Sequence, residues 1–373
     1  MKILFVVEYY YPHIGGVETF FQKLAEGLAE QGYNITVFTA QIENSKKEDN
    51  INGVNIKRIS LPNFGRRYWF TFLAPFWLLF IIPKYNIVHT TTYNAALPAW
   101  LISFIFRKKI VITVHEVWQK LWFSVPEMSK ISSLLHYCFE WVILKLPYSC
   151  YAADADFTKK RLIEFRKSEK NIHRIYLGID YDLFNKDKCR EVKAKKINNN
   201  NWICLYFGRP GWVKGLNYLI KAMPLVKAKI KNVQLQLLIS NDPPKPYKAL
   251  IKLINDEKIN DIISIQKSVS RESLPNYIAS ADCVVVPSLS EGFGFSAAET
   301  SAMQVPIVAT TAGSLPEVLS GKVIFCLPGD SKSLALAIID AYNNKYKQIP
   351  EKKFNWQNTI LEYNQIYKTL NIK

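Results

Sequence analysis

The sequence predicts an α/β protein made of two doubly wound, parallel-sheet domains. Three observations carry this expectation. The first forty residues run strand, glycine-bearing loop, helix, strand. The same rhythm restarts at Trp202 and continues to Leu327. Between the two series lies Lys186–Asn201, rich in Lys and Asn and poor in apolar residues. A chain of 373 residues has room for two such domains at roughly 100–200 residues each.

The elements follow in order. Ile3–Val7 is a continuous apolar run, as expected of a strand covered on both faces. Val17, Phe20, Phe21, Leu24, Ala25 and Leu28 recur at helical spacing, and Gly32 is placed to stop that helix. Asn34–Ala40 reads as the next strand. Further strand-like runs are Asn55–Leu61, Asn86–Thr91, Lys109–Val114, Cys150–Ala153 and Arg174–Leu177. The second series is Trp202–Phe207, Val233–Ser240, Ile262–Ile265, Cys283–Pro287, Ile307–Thr310 and Val323–Leu327. The boundary falls near Gly178–Asn201. The expected division is residues 1–178, residues 179–353, and a last helix within 354–373 that packs back on the first domain. Two facing domains of this kind leave a ligand cleft between their strand C-termini.

Composition narrows the function. The chain is 49% hydrophobic and 21% charged, which excludes disordered, collagenous and small disulfide-stapled classes. Its 48 Lys+Arg against 31 Asp+Glu leave a net charge of +17. That balance suggests an anionic partner, or else only a Lys-rich composition. The excess is spread over both halves, with no basic tail or stripe, so no nucleic-acid partner is expected. The six cysteines form no C-x-x-C pair, which reads as buried reduced thiols in a cytoplasmic protein, without a metal site.

Four groups of residues carry chemistry. Glu291-Gly292-Phe293-Gly294-Phe295-Ser296-Ala297-Ala298-Glu299 lies between a strand and a helix expected at Ser296–Met303. Its glycines let backbone approach a ligand, and the helix start favours an anion. Its two carboxylates suit vicinal sugar hydroxyls. Gly208-Arg209-Pro210-Gly211-Trp212-Val213-Lys214-Gly215 also follows a strand, and its Arg fork and Lys point charge suit a diphosphate. It is not a P-loop, because Gly-Lys-Ser/Thr is absent. Gly15-Gly16 stands at the first strand–helix junction without a G-x-G-x-x-G pattern. His115 follows the strand ending at Val114, beside Glu116.

Taken together, these residues resemble the retaining, family-4 glycosyltransferases with the GT-B fold, two Rossmann-like domains facing a cleft. The likeness also includes Gly15-Gly16-Val17-Glu18, Thr113-Val114-His115-Glu116, Leu177–Phe184, Ala309–Val318 and the Trp356 helix. It implies a nucleotide-diphospho-sugar donor held by the C-terminal domain, so residues 1–178 would be an acceptor domain and residues 179–353 a nucleotide-sugar domain. Arg209 and Lys214 would bind the diphosphate, and Glu299 the ribose. Glu291 and the backbone of Gly292, Phe293, Gly294 and Phe295 would face the sugar and phosphate. Gly15 and Gly16 would approach the phosphate, and His115 the sugar near the reacting centre. The catalytic set is then His115, Glu291, Arg209 and Lys214, with no cofactor or metal and no protein nucleophile. The family commonly has a Ser in the turn where this chain reads Tyr151-Ala152-Ala153-Asp154-Ala155-Asp156-Phe157. Asp154-x-Asp156 and Asp180-x-Asp182 read as chance likenesses of a metal motif.

Tyr68–Pro83 is uncharged, with Arg66-Arg67 before it and Lys84 after. It is shorter than the roughly 20 residues of a spanning helix. It reads either as core or as a peripheral membrane contact on the inner face of the membrane, which a lipid-linked acceptor would explain; the acceptor, glycan or lipid-linked, stays open. Rival functions are a GT-B-fold sugar-nucleotide epimerase or phosphorylase, a nicotinamide-dependent dehydrogenase, and a non-catalytic membrane or nucleic-acid binder.

Overall fold

The apolar run at the N-terminus forms β1 (Lys2–Val6), buried at every position after the first. It sits inside an eight-stranded sheet. The other strands are β2 (Asn34–Ala40), β3 (Glu48–Ile51), β4 (Val54–Ile59), β5 (Ile87–Thr91), β6 (Lys109–Val114), β7 (Cys150–Ala153) and β8 (Ile172–Arg174). Their order is β3-β4-β2-β1-β5-β6-β7-β8. Only the β3–β4 pair is antiparallel among the pairs of this sheet. The computed structural model describes residues 1–189, 201–241, 244–267 and 269–372.

Connections fix the layers. Helix α1 (Gly16–Glu30) leads from β1 to β2 in one direction across the sheet. α2 (Arg66–Ile81), α3 (Ala96–Ile105), α4 (Lys130–Lys145) and α5 (Asp156–Arg166) lead through β5, β6, β7 and β8 in the other. Right-handed crossovers therefore place α1 on one face and α2–α5 on the opposite one. The core under α2–α4 includes Phe70, Ala74, Leu78, Ala99, Ile102 and Ile143. The C-terminal helix Trp356–Ile372 joins α1 on its face. Its Tyr363 and Tyr367 are fully buried. Their hydroxyls lie 2.8 Å from Thr113 Oγ1 and 2.6 Å from His89 Nδ1, while His89 Nε2 lies 2.8 Å from Thr113 Oγ1. Each such bond stabilises by about 1 kcal/mol net, and far more is lost if a buried partner is orphaned. Burial, then the nearby charge of His115, lowers the pKa of His89 to about 3. The ring thus stays neutral in this network.

The second sheet has seven strands: β9 (Trp202–Phe207), β10 (Val233–Leu238), β11 (Ile263–Gln266), β12 (Cys283–Val286), β13 (Ile307–Thr310), β14 (Gly321–Cys326) and β15 (Lys347–Ile349). Their order is β11-β10-β9-β12-β13-β14-β15, with only the β14–β15 pair antiparallel among the pairs of this sheet. The chain partitions into two compact units, Met1–Gly178 with Phe354–Lys373, and Ile179–Lys353.

Some elements differ from expectation. The strand placed at Arg174–Leu177 is Ile172–Arg174, because the chain leaves the sheet edge and Tyr176 O instead accepts from Thr359 Oγ1 at 2.8 Å. β3 was not foreseen, since Glu48-Asp49-Asn50 is polar. The Asn52-Gly53 turn, both residues at positive φ, was its signal. Of the segment Lys186–Asn201, residues 190–200 lie outside the described residues. All six cysteines are free, and Cys138 is exposed rather than buried.

Candidate functional site

In each sheet the strand order reverses beside one strand, between β1 and β5 and between β9 and β12. Loops at such reversals leave a crevice at the strand C-termini, the usual ligand position in open α/β sheets. The second unit places both of its sequence motifs there. Gly208–Gly215 follows β9, and Glu291–Glu299 follows β12.

These two loops are locked together. Leu289 N donates to Val213 O at 2.7 Å. Gly215 has φ +67, and a Cβ there would lie 1.8 Å from Pro287 O. Gly313, on the loop after β13, has φ +60, and its Cβ would lie 2.1 Å from Glu291 O. No other residue fits either place without moving backbone. Ser314 completes the frame, its N bonded to Glu291 O at 3.1 Å and its Oγ to Phe293 O at 3.0 Å.

The frame aims charges. Lys214 Nζ sits 2.7 Å from Glu291 Oε1, which also accepts from Ser288 Oγ at 2.8 Å. Glu291 is buried, and Lys214 is partly exposed. Arg209 is exposed on the same loop. The helix after Glu291 runs Phe295–Ala302, one residue earlier than expected, and its first turn has no side-chain cap. Its opening N–H groups suit an anion. Glu299 is buried on the first turns of that helix, with Oε1 2.8 Å from Arg271 Nη2. Burial raises its pKa to about 7, against the lowering pull of Arg271. The Arg271 guanidinium rests over the Phe184 ring at 5.2 Å. The second unit thus brings together Arg209, Lys214, Glu291, Gly292–Phe295 and Glu299. Arg271, Ser288, Gly313 and Ser314 were missed. Only the last two stood inside a noted motif.

The first unit builds a different place. Gly15 is extended at φ −174, so its backbone asks for no glycine. Glu18 approaches it, and Glu18 Oε1 is 3.0 Å from His13 Nδ1, so the start of α1 already holds a carboxylate. Glu8, at the end of β1, accepts from Asn94 N at 2.6 Å and Ala95 N at 3.2 Å, tying down the loop after β5. His115, at the end of β6, has Nδ1 2.5 Å from Asp154 Oδ2 at the end of β7. Asp154 is therefore the orienting partner of His115, a role that its likeness to a metal motif did not suggest. Burial alone would lower the pKa of His115. The charge and hydrogen bond of Asp154 outweigh it and favour the imidazolium.

The loop beyond His115 is organised by Glu140 of α4, which is fully buried. Its carboxylate accepts from Trp118 N at 2.7 Å, Gln119 N at 2.6 Å, Trp122 Nε1 at 3.2 Å and Tyr93 OH at 3.1 Å. The Trp118 and Trp122 rings then meet at 4.5 Å, tilted by 40°, and Trp122 meets His136 at 4.9 Å. No spacing in the sequence announces this platform, because its carboxylate is 22 residues from Trp118.

Known proteins match both units. The sequence model of glycosyltransferase family 4 covers residues 14–183, and that of glycosyl transferases group 1 covers residues 187–358. An uncharacterized glycosyltransferase of Methanocaldococcus jannaschii is 28% identical, over 99% of this chain and 98% of its own. An MMP alpha-(1->4)-mannosyltransferase of Mycolicibacterium hassiacum is 34% identical over 42% of this chain and 36% of its own. Sucrose-phosphate synthase from Thermosynechococcus elongatus superposes with a TM-score of 0.82 at 21% identity, covering 99% of this chain and 98% of that one. Anabaena HepE in complex with UDP-glucose superposes with a TM-score of 0.72 at 18% identity, covering 100% and 97%. The structural matches fix the fold as GT-B, and the two adjacent family models name the chemistry. The chain belongs to glycosyltransferase family 4 and is a glycosyltransferase.

Proposed function

We propose that this enzyme moves a hexose from a nucleotide-diphospho-sugar to a glycan or lipid-linked acceptor, retaining the anomeric configuration. The observation that carries the donor half is the framed pairing of Lys214 with Glu291 beside Arg209 and an uncapped helix start. Departure of a nucleoside diphosphate places new negative charge on phosphate oxygens. Fixed cations and N–H groups aimed there lower the barrier without reorganising. Arg209 and Lys214 take that task. Glu299 accepts from the ribose hydroxyls. Glu291 orients Lys214 and, with the backbone of Gly292–Phe295, faces the sugar and phosphate. His115, held by Asp154, serves the transferred sugar as a hydrogen-bond donor. Gly15 and Gly16 serve the phosphate, with Glu18 moving aside.

This reading asks for no metal or cofactor, because side chains supply the positive charge. Mannose, glucose, galactose and N-acetylglucosamine are the candidate sugars. The mannosyltransferase relative and the UDP-glucose complex of HepE are consistent with that range. The partner reading includes a peripheral contact of Tyr68–Pro83 with the inner face of a membrane. No helix among the described residues is long and apolar enough to cross one.

Thermal unfolding with UDP, GDP and NAD tests the donor. At 100 times its Kd a ligand of the folded state stabilises by about 2.7 kcal/mol, which raises the melting temperature by several degrees. Selective stabilisation by UDP or GDP, lost in Glu299→Ala, is expected. Stabilisation by NAD alone, or by no nucleotide, overturns the reading.

A further inference from the structure

Helix α2 is buried on one side only. Phe70, Thr71, Ala74 and Leu78 face the core, while Phe72, Phe76 and Phe80 are 69%, 63% and 76% exposed. On an ordinary surface helix these outward positions, four residues apart, carry charged or polar side chains. Here they are aromatic, and Trp69 and Trp77 flank them, also exposed. The same holds next door. α3 packs along α2 and turns Phe104 and Ile105 outward. α4 shows Ile131, Leu135 and Trp141, and Tyr68 OH lies 3.1 Å from His136 Nε2, joining α2 to α4. Crossover handedness puts all three helices on one face of the sheet. A contiguous apolar face of this size is not a feature of ordinary soluble surfaces.

Charge selects the occupant. The three helices contain four cations, Arg66, Arg67, Lys130 and Lys145, and a single carboxylate, Glu140. Glu140 is fully buried and bonded inward. Lys84 and Arg107 stand exposed just past α2 and α3. Glu127, in the loop before α4, is the nearest exposed acid in sequence. Protein interfaces deplete Lys and surround an apolar centre with polar groups of both signs. Aromatic and aliphatic side chains rimmed by cations instead match an anionic lipid surface, where rings sit at headgroup level and each cation adds attraction.

We propose that the outward face of α2, α3 and α4 docks on an anionic lipid bilayer. The inference rests on the lipid-linked branch of the acceptor reading and deepens it, since the enzyme would meet its acceptor in that bilayer. It extends the contact from the α2 segment to three helices.

The test is co-sedimentation of the full chain with phosphatidylcholine vesicles, with and without 30 mol% phosphatidylglycerol. The wild type is expected to bind the anionic vesicles, with binding weakened at least several-fold by 0.5 M salt and a blue shift in tryptophan emission. The variant Phe72→Ser/Phe76→Ser/Phe80→Ser removes only exposed rings, so it should fold and lose binding more than tenfold. Unchanged melting and an unchanged response to UDP or GDP in that variant separate lost docking from lost folding or donor binding. Failure of the wild type to bind anionic vesicles, or full binding by the variant, overturns the proposal. A wild-type dimer by light scattering that the variant dissolves, without vesicle binding, assigns the face to a second copy and also overturns it.

Discussion

The two sheets share a plan and keep their charge in different places. In the second unit the loops at the strand reversal are pinned by glycines against backbone oxygens, and their charges reach toward solvent: Arg209 exposed, Lys214 and Arg271 partly so. In the first unit three loop-holding carboxylates turn inward. Glu8, Glu140 and Asp154 each hold backbone or side-chain donors of a loop, and the outward face of α2–α4 carries rings rimmed by cations. One scaffold thus supports a rigid electrostatic site and an aromatic one. The difference arises in loop residues, not in the strands, whose apolar runs are alike.

The sharpest way to break this comparison is to remove the outward charges. Arg209→Ala should lower turnover by about 100- to 1,000-fold, the size of losing one preorganised donor to a developing anion. Its melting temperature should barely change, because the side chain is exposed. Lys214→Ala should lose a similar factor and also some stability, on the order of 1–3 kcal/mol, since buried Glu291 keeps only its Ser288 bond. Steady-state rates and thermal melts on both variants decide. Equal small losses of rate would make the pair a structural ion bridge, and the two units would no longer differ in kind.

That asymmetry was partly legible in the sequence. Apolar runs of four to seven residues gave the buried parallel strands, because such strands lack alternation and stand out. The loops proposed for the donor were legible because glycine, Arg, Lys and Glu occur within eight or nine positions, and a loop of that length must bring them near one another. Arg271 was not legible. It approaches Glu299 from another loop, and only the β11–β12 crossover brings the two together. The pairing of Asp154 was not legible either, since its partner His115 is 39 residues away on the neighbouring strand. The exposed rings of α2 were read as either core or membrane, because periodicity marks a helix without saying what covers its far side.

A second test strikes the inward charges. Glu140→Gln replaces one acceptor oxygen with an amide that cannot accept, leaving two buried donors without a partner. We expect a loss of roughly 2–3 kcal/mol, at about 1–3 kcal/mol per orphaned group shared over a relaxing loop. That is several degrees in melting temperature. Stabilisation by nucleotide should persist, because the residues proposed to hold the donor lie in the other unit. Acceptor KM should rise as the Trp118–Trp122 contact loosens. A variant that loses nucleotide binding but keeps acceptor KM would reverse the assignment of roles.

The smallest expected effect separates charge from shape within the proposed donor site. Burial raises Glu299 to about 7 even with Arg271 beside it. The ionised carboxylate is the better acceptor for ribose hydroxyls. Nucleotide affinity should therefore fall as pH drops through that region. Arg271→Ala removes the group that lowers this pKa, so the midpoint should move upward, into the alkaline range. Affinity near pH 7 should weaken by about tenfold, or about 1.4 kcal/mol, because fewer carboxylates are then ionised at that pH. At pH 9 most of it should return. Nucleotide titrations across pH 6–9 on both proteins read this directly. A pH-independent loss would mean that Arg271 contacts the nucleotide itself, and no change at any pH would remove both Arg271 and the titration of Glu299 from donor binding.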